Sequence, residues 1–219
     1  MLNPMQKSQG KTRFLSLLSS MDSSIPETSL IHIWEDLEAH YMQPQRKYHT
    51  LNHVFFCLDR FDECSGYISA CDQLELAIWF HDAIYFPGSN LNEAQSANYF
   101  DHHLKRWLSD ADIKAVTKLI MVTNMTTLPA TNDQAFMCDI DLSSFGLSWI
   151  DFLMDSVALR EEQADVATNI FAKNKRHFLN HLLDRESIFI TEHFYSLYEQ
   201  QARKNIKRYL TVLNSQAIN

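Results

Sequence analysis

The segment Leu74–Phe86 reads LELAIWFHDAIYF and is one of the most apolar stretches of the chain. Its spacing predicts an α-helix over about residues 72–85, ended by Pro87-Gly88. One face of that helix would consist of Leu74, Ile78, His81 and Tyr85. The pair His81 and Asp82 is thus surrounded by apolar residues, where a charged group needs a hydrogen bond, an opposite charge or a metal ion.

Helical spacing continues on both sides of this segment. Further helices are predicted at about 27–43, 49–63, 92–108 and 110–123, the last capped by Asp110, with two or three more between 149 and 214. Only four glycines and five prolines occur among 219 residues, against a usual sum of about 12%. This scarcity disfavours hairpins, barrels and propellers, and the dispersed glycines exclude a glycine-rich nucleotide loop. The sequence therefore predicts an all-α protein.

The charge and hydropathy of the chain exclude two classes of partner. Its formal net charge is −8 and its basic residues are dispersed, which argues against a nucleic-acid polymer. Uninterrupted apolar runs reach only about five residues, whereas a membrane span needs about 20. We therefore expect no membrane partner and a cytoplasmic location.

The four cysteines form no metal-binding pattern in the sequence. They are Cys57, Cys64, Cys71 and Cys138. No CxxC pair occurs among them, and free cysteines are usually buried. We interpret them as reduced thiols of the core.

Two more clusters of polar residues could carry chemistry. His49 and His53 lie one helical turn apart, so they could hold one metal ion or could simply titrate at an exposed helix start. Asp139 and Asp141 are separated by one residue within an apolar segment, where an aspartate could also be a helix cap. The spacing alone leaves both alternatives open.

The order His, His-Asp, Asp resembles the HD superfamily of metal-dependent phosphohydrolases. The chain is similar to a bacterial subgroup predicted to have this activity. The similar segments are Arg46–His49 to His53-Val54, Trp79–Tyr85, Asn92-Glu93 with Ser96, Asp139–Leu142 with Gly146, Arg160–Glu162, and the later Glu199, Arg203 and Asn205. The resemblance implies a single HD-domain-like bundle of about eight to ten helices. That domain would span 26–219, with a short helix of segment 1–25 packed on it.

The resemblance also implies a set of metal ligands. These are His49, His81, Asp82 and Asp141. His53 competes with His49 for the first position and otherwise would bind substrate, and Asp139 competes with Asp141. The chain departs from the subgroup after Thr123, where it reads Asn124-Met125-Thr126 in place of a histidine. A role of that histidine in binding a second metal or a phosphate would be lost.

The implied ligands suit phosphoryl chemistry. Two imidazoles and two carboxylates favour Mn, Fe, Co, Ni or Mg over a closed thiolate zinc site. Arg46 and Lys47 are the candidates for binding phosphate. Asp82 is a candidate proton acceptor for the attacking water as well as a ligand, and Glu93 is a second acid–base candidate.

We therefore expect a metal-dependent phosphohydrolase that acts on a small phosphorylated metabolite, with a nucleotide as the first expectation. The alternative is a ligand-binding or regulatory protein that keeps the HD scaffold and the metal without turnover. An oxygenase on this scaffold would need two adjacent metals, and the single clear ligand set disfavours it.

Overall fold

The computed structural model describes residues 3–215, and the chain there is helical, with no strand. Ten α-helices occur in this part of the chain: α1 (Pro4–Met21), α2 (Glu27–Tyr41), α3 (Leu51–Cys64), α4 (Cys71–Phe80), α5 (Asn92–Leu104), α6 (Asp110–Val122), α7 (Asn132–Leu142), α8 (Trp149–Glu162), α9 (Thr168–Asp184) and α10 (Glu192–Ser215). Two short 3-10 segments are Ser65–Tyr67 and Ser143–Gly146. The predicted all-α bundle of eight to ten helices is confirmed. The chain divides into two compact units, Met1–Met137 and Cys138–Asn219.

In the first unit, α4 is the central helix and packs on α1, α3, α5 and α6. Its last two residues, Trp79 and Phe80, are completely buried. The ring centroid of Trp79 lies 5.5 Å from that of Phe14 on α1 and 5.7 Å from that of Trp34 on α2. Edge-on aromatic contacts at these separations stabilise the packing beyond the area they bury. The apolar segment that predicts α4 therefore forms the centre of this core.

The predicted extension of this helix to residue 85 is wrong, because α4 ends at Phe80. The backbone beyond it bonds to side chains instead of continuing the helix. Arg46 donates to the carbonyl oxygens of Asp82 and Ala83, and the Ser96 hydroxyl accepts from the backbone N–H of Ile84 and donates to its carbonyl. His81 and Asp82 consequently lie at a turn after the helix.

Other helix boundaries follow local capping. The first residue of α6 is Asp110, but Ser109 is its N-cap, since the Ser109 hydroxyl accepts from the N–H of Asp112. The prediction that Asp110 is the cap is therefore wrong. The fourth predicted helix is shorter than expected, ending at Leu104 instead of 108. The expected long helices after 149 are α8, α9 and α10.

In the second unit, two buried carboxylates hold the connection between α9 and α10. Glu199 accepts from the backbone N–H groups of Ile188 and Phe189, while Asp139 accepts from those of Ile190 and Thr191. Four consecutive N–H groups are thus bonded to two side chains. Such bonds compensate the burial of both the backbone and the carboxylates.

The start of α10 is fixed, and its later part packs closely on the 3-10 segment Ser143–Gly146. The Asn205 side-chain amide donates to the carbonyl oxygens of Phe145 and Leu147. Gly146 lies so close to α10 that a Cβ at this position would overlap Cβ and the ring of Tyr198. A glycine is required here because the overlap is with atoms near the backbone.

All four cysteines are free thiols, three of them buried and Cys71 partly so, as predicted.

In residues 3–215 no single helix is long and apolar enough to cross a membrane. One sharply bent pair of consecutive segments, Asn132–Gly146 and Trp149–Glu162, meets the length and composition requirements only when taken together.

We expect Gly146→Ala to lower the free energy of unfolding by about 1–3 kcal/mol, the usual effect of overfilling a packed contact. Gly66→Ala is the matched control, because a Cβ at Gly66 meets nothing within 4 Å. It should change stability by less than about 0.5 kcal/mol. Urea unfolding followed by circular dichroism measures both, and equal effects of the two substitutions would contradict the close approach at Gly146.

Candidate metal centre

Three potential ligand atoms converge in the first unit, on α3 and just after α4. The Nε2 atoms of His53 and His81 lie 3.3 Å apart. Asp82 Oδ2 lies 3.1 Å from His81 Nε2 and 3.6 Å from His53 Nε2. Donor atoms about 2.1 Å from one ion stand about 3.0–3.4 Å from each other in tetrahedral or octahedral sites. Two of the three separations lie in this range and the third exceeds it by about 0.2 Å, so a small movement of one side chain would let the three atoms share one divalent ion.

Cys57 adds a sulfur to this group. It lies one helical turn after His53 on α3, and its Sγ is 3.7 Å from His53 Nε2. The ligand atoms of His53, Cys57 and His81 all lie within 4.8 Å of one another, and all three residues are buried. A group of this composition could hold a metal ion.

The orientation of the His81 ring suits metal binding. Its Nδ1 lies 2.8 Å from the carbonyl oxygen of Ile78, an atom that can only accept a hydrogen bond. Nδ1 therefore donates to this carbonyl, and Nε2 is the ring nitrogen that faces His53 and Asp82. Metal-binding histidines are commonly oriented by such a bond from the second ring nitrogen.

The carboxyl group of Asp82 is held in its ionised form. Burial alone would raise its pKa, but the neighbouring His81, His49 and His53 more than offset this effect. The pKa of Asp82 consequently lies well below its usual range. A carboxylate that stays ionised can bind a cation.

Arg46 is buried, with only 4% of its surface exposed, and it positions the turn that contains Asp82. Its guanidinium donates to the carbonyl oxygens of Asp82 at 2.6 Å, Ala83 at 2.7 Å and His49 at 3.1 Å. These bonds connect the loop before α3 to the turn after α4. Arg46, which the sequence predicts to bind phosphate, therefore positions this turn. Its contact with the substrate stays a prediction.

The segment after Asp82 is fixed from α5. Asn92 accepts from the backbone N–H of Phe86 at 3.0 Å and donates to the carbonyl of the same residue at 3.1 Å. Ser96, one turn later, makes the equivalent pair of bonds to Ile84. Asn92 and Ser96 are thus positioning residues for this loop.

Three further predicted residues lie in the first unit. The ring of His49 stacks on that of Tyr85, with centroids 3.9 Å apart, and its centroid lies 6.1 Å from that of His53. Lys47 is exposed and its Nζ donates to the Pro44 carbonyl. Glu93 is half-buried in the first turn of α5. The roles assigned to these three residues stay predictions.

The second unit contains the two competing aspartates on α7. Asp139 is fully buried and both of its oxygens accept hydrogen bonds from Ile190 and Thr191. Burial raises its pKa to about 6, although these bonds lower it in part. Asp141 is half-buried. Because Asp139 already holds a backbone segment, Asp141 is the better ligand candidate of the two, and its role stays a prediction.

Sequence reasoning missed Cys57 and the positioning role of Arg46. A signal for Cys57 existed, since it follows His53 by four residues and the two share one face of α3. No local pattern indicates that Arg46 bonds to carbonyls 36 and 37 residues further along the chain. The structure therefore adds a sulfur and a buried cation to the predicted centre.

We expect Arg46→Met to lower the free energy of unfolding by about 2–4 kcal/mol, because it leaves buried carbonyl groups without donors. Arg46→Lys keeps the charge but not the fork of donors, so it should lose part of that stability. Arg106→Met, at an exposed position on the loop after α5, is the control and should change stability by less than about 0.5 kcal/mol. Thermal unfolding measures all three, and full stability of Arg46→Lys would contradict the role of the fork.

Comparison with known proteins adds no relative. No protein-family model matches the chain, and no significant match is found among curated proteins or solved structures. The resemblance to the HD superfamily thus depends on the sequence motifs, and the metal centre depends on the geometry of its own residues.

Proposed function

We propose that this protein is a metal-dependent phosphohydrolase that cleaves a phosphate ester or anhydride of a small metabolite, with a nucleotide as the first candidate. The observation that carries the proposal is the convergence of His53 Nε2, His81 Nε2 and Asp82 Oδ2 within 3.6 Å of one another. The resemblance of the surrounding motifs to the HD superfamily gives the class of reaction.

The donor set favours a first-row transition ion over Mg. Imidazole nitrogens bind Mn, Fe, Co, Ni or Zn well, whereas Mg prefers oxygen ligands and keeps its water. The Sγ of Cys57 near His53 strengthens this preference, since thiolates favour softer ions. A divalent ion held by His53, His81 and Asp82 would supply positive charge to a phosphoryl oxygen and would lower the pKa of bound water.

We assign proton transfer and phosphate binding in the proposed reaction to three side chains of the first unit. Asp82 Oδ2 lies 3.1 Å from His81 Nε2, and we propose Asp82 as the proton acceptor for the attacking water. Lys47 is exposed in the loop before α3, and we propose it as a donor to the substrate phosphate. Arg46 uses its donors on backbone carbonyls, and its contribution to phosphate binding is mainly its positive charge.

We expect the purified protein to contain about one equivalent of a first-row transition metal, or to take it up on incubation with Mn²⁺ or Fe²⁺. His53→Gln and His81→Gln should each reduce metal affinity at least about tenfold, because each removes a ligand nitrogen. His177→Gln, at an exposed position on α9, should retain the metal. Elemental analysis after dialysis measures the content, and equal loss from all three variants would exclude this centre.

Asp82→Asn should reduce phosphohydrolase activity at least about a hundredfold, because it removes the negative charge and the proton acceptor. Asp59→Asn makes the same chemical change at an exposed position on α3 and should leave activity unchanged. The assay is release of phosphate from a panel of nucleotides and sugar phosphates, with circular dichroism as the check of folding. A metal-loaded wild-type protein that hydrolyses no member of the panel would instead favour the regulatory alternative.

A further inference from the structure

Helix α8 exposes an apolar face in the second unit. Its inner side carries Phe152, whose ring centroid lies 5.7 Å from that of Tyr209 on α10. Its outer side carries Ile150, Met154 and Val157, which are 68%, 65% and 50% exposed. Steps of four and three residues place these three side chains on one face of the helix. Single exposed apolar residues are common on protein surfaces, whereas contiguous ones are typical of an interaction site.

The two ends of this face carry opposite charges. At the first end, the exposed Arg208 of α10 lies over the ring of Trp149, with its guanidinium carbon 4.0 Å from the ring centroid. At the other end, the exposed Glu161 follows Val157 by one helical turn. Neither Arg208 nor Glu161 forms an ion pair with another side chain of residues 3–214. The face therefore has a cation at one end, an apolar middle and an anion at the other end.

We propose that this face joins two copies of the chain in an antiparallel, two-fold symmetric contact of α8 with α8. A two-fold contact brings the same surface of both copies together, so that surface must be complementary to itself. Antiparallel pairing places Arg208 of each copy beside Glu161 of the other, and Met154 of each copy beside Val157 of the other. It also sets the two helix dipoles in opposite directions. Parallel pairing would place like charges together at both ends.

The size of the face predicts a weak dimer. Five side chains form it, whereas a standard interface has roughly 20–30 residues on each side. Each copy has a net charge of −8, which opposes association, and the ion pairs at the two ends offset that repulsion locally. We expect a dissociation constant of about 10–100 µM. The face contains none of the candidate metal ligands, so the contact goes beyond the proposed reaction and does not depend on it.

Sedimentation velocity of the full chain without substrate, at about 5–500 µM, measures the dimer. Met154→Glu should raise the dissociation constant at least about tenfold, because it places two carboxylates in the apolar middle of the contact. Leu197→Glu makes a similar change at a 55% exposed position on α10 and should leave the dimer unchanged. Circular dichroism checks that both variants fold. Equal weakening by the two substitutions would contradict the contact through α8.

Exchange of the two end charges tests the antiparallel direction. Glu161→Arg and Arg208→Glu each place like charges together and should weaken the dimer at least about threefold at low salt. The double exchange should return the dissociation constant to within about twofold of the wild-type value. A double variant as weak as the single variants would overturn the proposal, and so would a wild-type protein that is monomeric at about 500 µM. Monomeric protein that instead sediments with phosphatidylcholine vesicles would assign the face to a lipid surface and would likewise overturn it.

Discussion

The buried guanidinium of Arg46 is the interaction on which the centre in the first unit depends. Removing a cation from water costs several kcal/mol unless hydrogen bonds replace its hydration. Arg46 meets that requirement by donating to the carbonyls of His49, Asp82 and Ala83. One side chain thereby connects the loop before α3 to the turn that follows α4. These are the segments next to His53 and at Asp82, two of the candidate ligands.

In the second unit, buried carboxylates bond to backbone N–H groups, as the Arg46 cation bonds to backbone carbonyls in the first. Asp139 and Glu199 accept hydrogen bonds from four consecutive backbone N–H groups, and Arg203 bonds to Glu199 and to the carbonyl oxygens of Leu183 and Arg185. In both units, connections between helices are held by buried charged side chains bonded to backbone groups. Glu199 and Arg203, which enter the sequence analysis only through the resemblance to the HD superfamily, therefore have a structural role.

The sequence predicts the helices well and their ends less well. Apolar spacing is a local property, so it finds α2, α3 and the three helices after residue 149. It fails at Phe80 because Ala83 and Ile84 continue the apolar pattern while their backbone groups bond to Arg46 and Ser96, which are distant in the sequence. The candidate ligands His53, His81 and Asp82 could be named from their residue types, but the distances between their ligand atoms could not, because these depend on contacts between residues far apart in the sequence.

The candidate ligands of the first unit lie where the chain leaves α4. The backbone of His81 is still helical, whereas Asp82 lies in the turn that follows. His81 Nε2 and Asp82 Oδ2 lie 3.1 Å apart there, and His53 Nε2 approaches His81 from α3. Arg46 and Ser96 bond to the backbone of residues 82–84, so the position of this turn depends on side chains that its own sequence does not contain.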